Sequence, residues 1–170
     1  MGKIALGGGC HWCTEAVFQS LKGVEKVEQG FVKSTGSNDS FSEAVIVHFD
    51  AALIGLRDLI EIHLHTHKST SDHAMRQKYR SAVYTISDGQ GDEAQEIIQR
   101  LQPEFQEKLI TEVLPFIAFK PSEDQFSNYY YQNPQRPFCR QYIQPKLKVL
   151  LKRFKDIVNS EKTAFASIEV

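Results

Sequence analysis

A cysteine that follows three consecutive glycines is the residue of this sequence best placed for chemistry. Glycines 7–9 end a short apolar run, and residues 10–21 then carry apolar side chains at helical spacing. Glycines let a backbone approach a ligand closely, and a helix N-terminus offers free amide groups and a positive potential. Such a position lowers the pKa of a thiol from about 8.5 towards neutrality. The pattern therefore predicts that Cys10 is a thiolate nucleophile.

A second cysteine lies one helical turn after the first. Cys13 and Cys10 face the same side of the predicted helix, within disulfide reach after a modest rotation. They can form a redox pair, but the same spacing occurs in thioredoxin-like oxidoreductases and in zinc sites. With Cys139 the chain has three cysteines, which is an odd number, and no export signal is recognisable. A framework of structural disulfides is therefore not expected. The cysteines are predicted to serve chemistry.

Alternating strands and helices are predicted to position these residues. In chain order the predicted elements are a strand at 3–6, a helix at 10–21, an extended segment at 24–32, a strand at 43–49, a helix at 56–67, a strand at 80–86 ended by Asp88-Gly89, a helix with apolar residues from 97 to 105, a strand at 111–119 interrupted at Pro115, and a closing amphipathic helix at about 145–158. Pro115 indicates a sheet edge or a bulge. Residues 1–170 are interpreted as a single two-layer α/β or α+β domain.

Basic residues on the outer face of the closing helix are interpreted as solvated: Lys146, Lys148, Lys152, Arg153 and Lys155.

Composition and charge narrow the classes of partner. The chain has 170 residues and a formal net charge of -1. A chain of this length buries roughly 70% of its unfolded surface, so it needs no disulfide or structural metal to hold a core. A net charge near zero does not indicate the strongly basic surface that binds nucleic acid or an anionic membrane. No segment approaches the ~20 apolar residues of a membrane helix. We therefore expect a cytoplasmic protein that binds neither nucleic acid nor membrane.

Several motifs, in the same order, resemble one family over most of residues 3–145: the peptide methionine sulfoxide reductases of the A type. That family has Gly-Gly-Cys-Phe-Trp near its N-terminus, and this chain has Gly8-Gly9-Cys10-His11-Trp12. The family's glutamate on a strand is matched by Glu43, and its Tyr-Arg-Ser by residues 79–81. The further matches are Thr111-Glu112-Val113, Pro121-Ser122-Glu123-Asp124, Asn128-Tyr129 and Asn133-Pro134.

The resemblance implies an enzyme that reduces the S epimer of methionine sulfoxide, free or in proteins, with a thiol and without a cofactor. Such a reduction needs a sulfur nucleophile, an acid, and donors that polarise the S=O bond. By resemblance, Cys10 attacks the sulfoxide sulfur, Glu43 supplies the proton, and Tyr79 donates a hydrogen bond to the oxygen. Trp12 is implied to form one wall of the pocket for the substrate methyl group. The implied fold is an α+β two-layer α/β sandwich with a mixed sheet, packed helices and a ferredoxin-like core.

The resemblance also implies how the enzyme is recycled. Cys10 is left as a sulfenic acid, and a second thiol condenses with it to a disulfide. Cys13 is the nearest candidate in sequence, and Cys139 lies where many family members carry a C-terminal resolving cysteine. A thioredoxin-like reductant then restores the thiols.

Two residues of the implied methyl and oxygen pocket depart from the family pattern. His11 replaces the family's phenylalanine, so one wall of the methyl pocket is more polar and can titrate. Phe31 lies where the family has a second oxygen-binding tyrosine, so one hydroxyl donor is lost. Another group must compensate for that donor, or the rate falls.

A third departure concerns an acid. The family has an aspartate five residues before its Tyr-Arg-Ser tyrosine, but this chain has Ala74 there. Asp72 is the nearest acid, and it is assigned to the substrate site on that ground. His73 or Arg76 can fill the same space equally well.

Two other classes of protein stay open. A thioredoxin-like disulfide oxidoreductase using Cys10 and Cys13 would act on disulfides without depending on Glu43. A metal-binding or redox-sensing module would bind zinc, or would change partners when its disulfide forms.

Three alternating histidines could suggest a metal site with the cysteines. On a helix, however, His63 and His67 share one face while His65 points elsewhere. Zinc there would also occupy the proposed nucleophile, so no metal site is predicted.

Overall fold

The computed structural model describes residues 2–165 of the chain, so Met1 and residues 166–170 of the predicted domain lie outside the described residues. Within this range the strands are β1 (Gly2–Gly7), β2 (Val24–Lys33), β3 (Ser42–Phe49), β4 (Ala82–Thr85), β5 (Glu112–Pro115) and β6 (Ala118–Pro121). The helices are α1 (His11–Gln19), α2 (Leu56–His65), α3 (Asp88–Leu101), α4 (Tyr129–Gln132), α5 (Gln144–Arg153) and α6 (Ser160–Phe165). A π-helical turn (Cys139–Ile143) leads directly into α5. None of the helices in this range is both long enough and apolar enough to cross a membrane.

The six strands form one mixed sheet in the order β5-β4-β1-β3-β2-β6. Every neighbouring pair is antiparallel except β4 and β5, which run parallel. The four central strands, with α1 between β1 and β2 and α2 between β3 and β4, have the βαββαβ order of a ferredoxin-like core. The predicted α+β sandwich with a mixed sheet is confirmed.

The two faces of the sheet bury different side chains because successive strand residues point to opposite faces. On β1, Ile4 and Leu6 belong to the large cluster that the helices cover, together with Phe18 of α1 and Leu147 of α5. Ala5 belongs to a smaller cluster on the opposite face. The other members of that smaller cluster are Val32, Ala44, Ile46, Ala82 and Tyr84, with Leu114, Phe116 and Phe119 packed against them. Burial of each large apolar side chain stabilises the folded state by about 1.5–3 kcal/mol.

The interrupted strand predicted around Pro115 is in fact two strands at opposite edges of the sheet. β5 pairs with β4 and β6 pairs with β2, while Phe116 and Ile117 lie between them. Phe116 N–H donates to the Thr85 carbonyl at 2.9 Å, and Ile117 N–H donates to the Lys33 carbonyl at 3.1 Å. So short a connection spans roughly 10 Å at most, which requires the sheet to curl until its edges meet. The single-strand prediction was wrong because a residue pattern does not show a change of partner strand.

The helix α3 begins well before its apolar stripe. Ser87 caps it, accepting a hydrogen bond from Gln90 N–H at 3.2 Å, and the helix includes Gly89 and Gly91. Asp88-Gly89, predicted to end a strand, forms its first turn instead. A serine cap stabilises a helix by about 1 kcal/mol, which offsets the similar cost of one glycine in its interior.

The closing helix is shorter than predicted, because α5 ends at Arg153 and a 3-10 turn follows it. Four of the five basic residues predicted to be solvated are exposed: Lys148, Lys152, Arg153 and Lys155. Lys146 is half-buried and faces the interior, so for this residue the prediction was wrong. Its neighbours are described with the site below.

Two histidines near the end of α2 pack together beside the sheet. The ring centroids of His63 and His67 are 4.2 Å apart. His67 Nε2 shares a hydrogen bond with the Ser81 hydroxyl at 2.8 Å, and that hydroxyl bonds the Thr111 hydroxyl at 2.7 Å. Burial lowers the pKa of His63 to about 3 and lowers the pKa of His67 well below its ordinary value. Both rings are therefore neutral in the folded protein near pH 7.

Replacing His63 with Gln is expected to flatten the acid side of the stability profile. The unfolded chain binds a proton at His63 near pH 6.5, whereas the folded chain binds it only near pH 3. The stabilising effect of the neutral ring is complete above pH 6.5 and is lost as the pH falls, by about 1.4 kcal/mol per pH unit. Urea unfolding at pH 7, 6 and 5 measures this slope in both proteins. Parallel pH slopes for wild type and variant would contradict the prediction.

Candidate active site

Cys10 is the N-cap of α1, as the glycine-cysteine pattern predicts. Its carbonyl oxygen accepts hydrogen bonds from the N–H groups of Cys13 (3.1 Å) and Thr14 (3.2 Å). This places the Cys10 side chain beside the free amide groups of the first helical turn, where the helix dipole favours an anion. The local backbone therefore prepares the sulfur to be a thiolate.

The glycine loop allows this helix end to approach the sheet closely. A Cβ atom on Gly7 would lie 2.9 Å from the carbonyl oxygen of Glu43, and one on Gly8 would overlap the ring of His67. A Cβ on Gly9 would meet open space. The first two glycines are thus required by packing inside the protein rather than by room for a ligand.

The thiols of Cys10 and Cys13, which are neighbours, differ in pKa. The hydrogen bond from the Cys13 thiol is the largest influence that lowers the pKa of Cys10, aided by the nearby His11 side chain and the Trp12 N–H. The same bond and burial raise the pKa of Cys13. Cys10 is therefore the thiolate of the pair and Cys13 the thiol.

Glu43 of β3 lies directly against the first residue of α1. Its Oε1 accepts a hydrogen bond from His11 N–H at 3.3 Å, and it is 3.0 Å from Nδ1 of the same histidine. Its Oε2 is 3.7 Å from Nζ of Lys78, which is largely exposed. Burial raises the pKa of Glu43, and the nearby Cys10 raises it further, although His11 opposes both effects. The structure thus places a carboxyl with a raised pKa next to a thiolate.

A cavity of about 420 Å³ opens beside Cys10. It is lined by Gly8, Gly9, Cys10, Cys13, His67, Lys68, His73, Met75, Tyr79, Phe138, Tyr142 and Lys146. Tyr79 reaches it from the loop before β4, and Arg76 fixes that loop by donating to the carbonyl oxygens of Gly8 and Tyr79 at 2.8 Å each. The lining carries basic side chains and includes no carboxylate.

Trp12 lies in an aromatic cluster next to the catalytic helix end. Its ring stacks on Tyr129 with centroids 4.1 Å apart, and it contacts Phe126 and Phe138 at 5.5 and 5.2 Å. Arg136 covers the outer face of Tyr129 at 4.2 Å. The cluster presents a flat apolar surface next to this end of α1.

Glu15, which the sequence analysis did not single out, holds this cluster in place. Its carboxylate accepts hydrogen bonds from the N–H groups of Asn128 (2.9 Å) and Tyr129 (3.2 Å) and from the Gln29 amide (2.9 Å). It is 2% exposed, and burial raises its pKa. A charged residue on the buried face of a predicted helix, one turn after Trp12, is the signal that could have identified it.

Three other predicted site residues lie at different distances from Cys10. Phe31 is paired with Glu43 across β2 and β3, and its ring centroid is 5.2 Å from that of His11. Cys139 is fully buried in the core, close enough to Cys13 to affect its pKa, but it does not line the cavity. Asp72 is exposed and is absent from the cavity wall. Its role stays a prediction.

Lys146 is a further residue of the site that the sequence analysis missed. It lines the cavity, and its amine donates a hydrogen bond to the Thr66 carbonyl. Burial lowers its pKa, while Cys13 and Cys10 raise it because they are potential anions. The residue pattern of a helix shows which of its faces is basic. It does not show that α5 brings one of these lysines, Lys146, next to α1.

Two groups of described side chains have the spacing of metal ligands. One is Cys10, His11 and Glu43, whose ligand atoms all lie within 4.8 Å of one another. The other is Glu61, His65 and Glu104, where Glu104 already pairs with His65 at 2.8 Å and with Arg153 at 3.1 Å. The three alternating histidines are not brought together, because His65 points away from the His63–His67 pair, as the helical spacing predicts.

The fold and the site define a thiol-dependent oxidoreductase. A thiolate caps a helix, a second thiol lies beside it, and a buried acid contacts the same helix end. These parts sit on a curled mixed sheet with a ferredoxin-like core.

Comparisons with known proteins give the family. A family model described as peptide methionine sulfoxide reductase matches residues 2–158. A peptide methionine sulfoxide reductase MsrA of Pasteurella multocida is 37% identical over 164 residues, covering 88% of this chain and 94% of that protein. The crystal structure of reduced Mxr1 from Saccharomyces cerevisiae superposes with a TM-score of 0.70 at 24% identity, over 83% of this chain and 90% of that one. The structure of Mxr1 in complex with Trx2 superposes with a TM-score of 0.61 at 24% identity, over 74% and 83%. The chain belongs to the peptide methionine sulfoxide reductase family.

Replacing Lys146 with Met is expected to raise the pKa of Cys10. The variant keeps the shape of the side chain but removes the positive charge beside the two sulfurs, so we expect a rise of about 1. The pH dependence of Cys10 alkylation by iodoacetamide, followed by mass spectrometry, measures it. Lys148→Met is the matched control, since this lysine is exposed on the same helix. A Lys146→Met profile that overlays both wild type and control would show that the lysine does not act on the thiolate.

Proposed function

We propose that the protein reduces the S epimer of methionine sulfoxide, free or in proteins, to methionine, and so repairs oxidised proteins. The observation that carries this proposal is the thiolate of Cys10 next to the buried acid Glu43 at one helix end. Membership of the family agrees with it. The epimer preference and the individual residue roles rest on the match between this site and the family motifs.

In the first step the oxygen leaves the substrate. The Cys10 thiolate attacks the sulfoxide sulfur, Glu43 gives a proton to the oxygen, and Tyr79 donates a hydrogen bond to it. The substrate sulfur gains two electrons and becomes a thioether, while Cys10 loses two and becomes a sulfenic acid. The elevated pKa of Glu43 suits this step because the carboxyl must still hold its proton when the oxygen becomes basic.

The substrate methyl group is proposed to lie against Trp12, with His11 and Phe31 as the neighbouring walls. These three rings are close to one another, with centroids 6.4 Å apart for His11 and Trp12 and 5.2 Å for His11 and Phe31. The cavity beside Cys10 then receives the rest of the substrate. Asp72 is exposed outside that cavity, so any contact it makes would be with a more distant part of a peptide substrate.

In the second step the sulfenic acid is resolved. Cys10-SOH and the Cys13 thiol form a disulfide and release water, so no other reactant is consumed. Cys13 is favoured over Cys139 because it hydrogen-bonds the Cys10 sulfur and lines the same cavity. Cys139 can take the role only after its segment moves, because it is fully buried.

A thioredoxin-like protein is proposed to reduce this disulfide. The related yeast protein Mxr1 has been captured in a complex with Trx2, and the cavity gives a reductant access to both sulfurs here. A reducing, cytoplasmic location agrees with three free cysteines. A thioredoxin-like activity of the chain itself is not favoured, because that class does not require the acid that this site buries beside its nucleophile. The metal-binding or redox-sensing alternative is not favoured either, because a metal on Cys10 would occupy the nucleophile.

Reduction of separated epimers tests the proposed activity directly. With dithiothreitol as reductant and a methionine sulfoxide peptide as substrate, we expect turnover of the S epimer alone. Cys10→Ser should abolish it, and Glu43→Gln should slow it by about 100-fold or more, the usual scale of general acid catalysis. Turnover of both epimers, or a Glu43→Gln enzyme as fast as wild type, would contradict the proposal.

The resolving cysteine can be identified by separating one turnover from many. We expect Cys13→Ser to produce about one methionine per enzyme and then stop when thioredoxin is the reductant, because no disulfide forms. Cys139→Ser is the matched control and should turn over continuously. Continued turnover by Cys13→Ser that stops only when Cys139 is also replaced would assign the step to Cys139.

A further inference from the structure

Nδ1 of His11 makes no hydrogen bond of normal geometry with a described residue, although the ring lies close enough to Cys10 to lower the pKa of its thiol. The His11 side chain is 9% exposed, and its Nδ1 atom is buried without a hydrogen-bond partner among the described residues. Nδ1 is 3.0 Å from Oε1 of Glu43, but the two groups are poorly aligned for a hydrogen bond. A buried polar group left unpaired costs about 1–3 kcal/mol. A ligand that accepts a hydrogen bond from Nδ1 would remove this cost.

The surroundings of the two ring nitrogens indicate which of them carries a hydrogen. Nε2 is 3.3 Å from the Ser122 hydroxyl, which can donate to it. Nδ1 faces two acceptors instead, the Cys10 sulfur and the Glu43 carboxyl, with the ligand atoms of all three residues within 4.8 Å of one another. An imidazole in these surroundings carries its hydrogen on Nδ1. The donor therefore points into the space between the nucleophile and the acid.

The neighbouring strand offers no donor to this space. Phe31 lies opposite Glu43 in the register of β2 and β3, so both side chains emerge on one face of the sheet. Its ring meets the His11 ring edge to face at 5.2 Å and has no polar atom. Reduction of a sulfoxide is faster when several donors are aimed at the oxygen. Of the two rings that border Glu43 here, the histidine alone can supply one.

We propose that the Nδ1–H of His11 donates a hydrogen bond to the sulfoxide oxygen during the reaction. His11 keeps its proton throughout: Glu43 protonates the oxygen, and Cys10 is oxidised to the sulfenic acid. This role rests on the proposed function of Cys10 and Glu43 and adds a catalytic residue to it. Ser122 holds the ring in the tautomer that donates, and Phe31 packs against its face.

Single-turnover kinetics test the role by removing and restoring the donor. His11→Phe keeps an aromatic wall but loses the N–H, and we expect the rate of methionine formation at saturating S epimer to fall by about 100-fold. His11→Asn keeps an N–H close to the position of Nδ1 and should retain most of the rate. Adding Phe31→Tyr to His11→Phe returns a hydroxyl to the same space and should recover at least part of the loss. A His11→Phe enzyme within about twofold of wild type would overturn the proposal.

Imidazole nitrogen NMR gives a readout that does not depend on turnover. In the Cys10→Ser protein, which cannot react, dimethyl sulfoxide serves as an achiral sulfoxide probe. We expect its addition to shift the Nδ1 resonance of His11 and to leave that of His48, which pairs with Glu28 on the sheet, unchanged. No shift at saturating dimethyl sulfoxide would overturn the donor role. If the wild type reduces neither epimer while the His11 resonance shifts, the proposed function fails but the donor stands.

Discussion

One backbone hydrogen bond fixes the geometry on which the rest of the site depends. His11 N–H, at the first position of α1, donates to the Glu43 carboxyl on β3. The first N–H groups of a helix have no partner within the helix, so this bond fills a need that α1 has in any case. It also sets the separation between the acid and Cys10, the residue just before. Because the contact excludes water, burial raises the pKa of Glu43, and the thiolate that the helix end favours raises it further.

The close approach of α1 and β3 requires the glycine loop and the buried histidines behind it. Gly7 leaves room for the Glu43 carbonyl, and Gly8 leaves room for the His67 ring. That ring is in turn held by Ser81 and packed on His63. A neutral pair is compatible with a thiolate site nearby, since it brings no charge into the core. The chemistry at Cys10 is thus supported by polar residues packed behind the glycine loop.

The sequence predicted the parts of this arrangement that are local. Cys10 at a helix start and the separate faces of His63 and His65 follow from spacing alone, and Glu43 and Tyr79 were found through motif order. The change of partner strand after Pro115 was not predictable, because a two-residue connection that closes a curled sheet looks the same as an irregularity within one strand. Glu15 and Lys146 were missed for a related reason. Lys146 sits on a helix whose other charges are exposed, and only the packing of α5 shows that it faces inward. Glu15 finds its hydrogen-bond partners on β2 and just before α4, segments distant in the sequence.

Cys10 borders two groups of side chains that suit the two halves of the proposed reaction. The buried acid and His11 lie against it where an oxygen must be protonated. Cys13 and Lys146 line the open cavity beside it, where a thiol must lose its proton before it can attack. A nearby cation favours that loss, whereas the cation beside Glu43, Lys78, is largely exposed and only partly opposes the rise in pKa that burial causes. Because Lys146 lines the cavity whereas Glu43 does not, each proton transfer at this helix end has its own electrostatic surroundings.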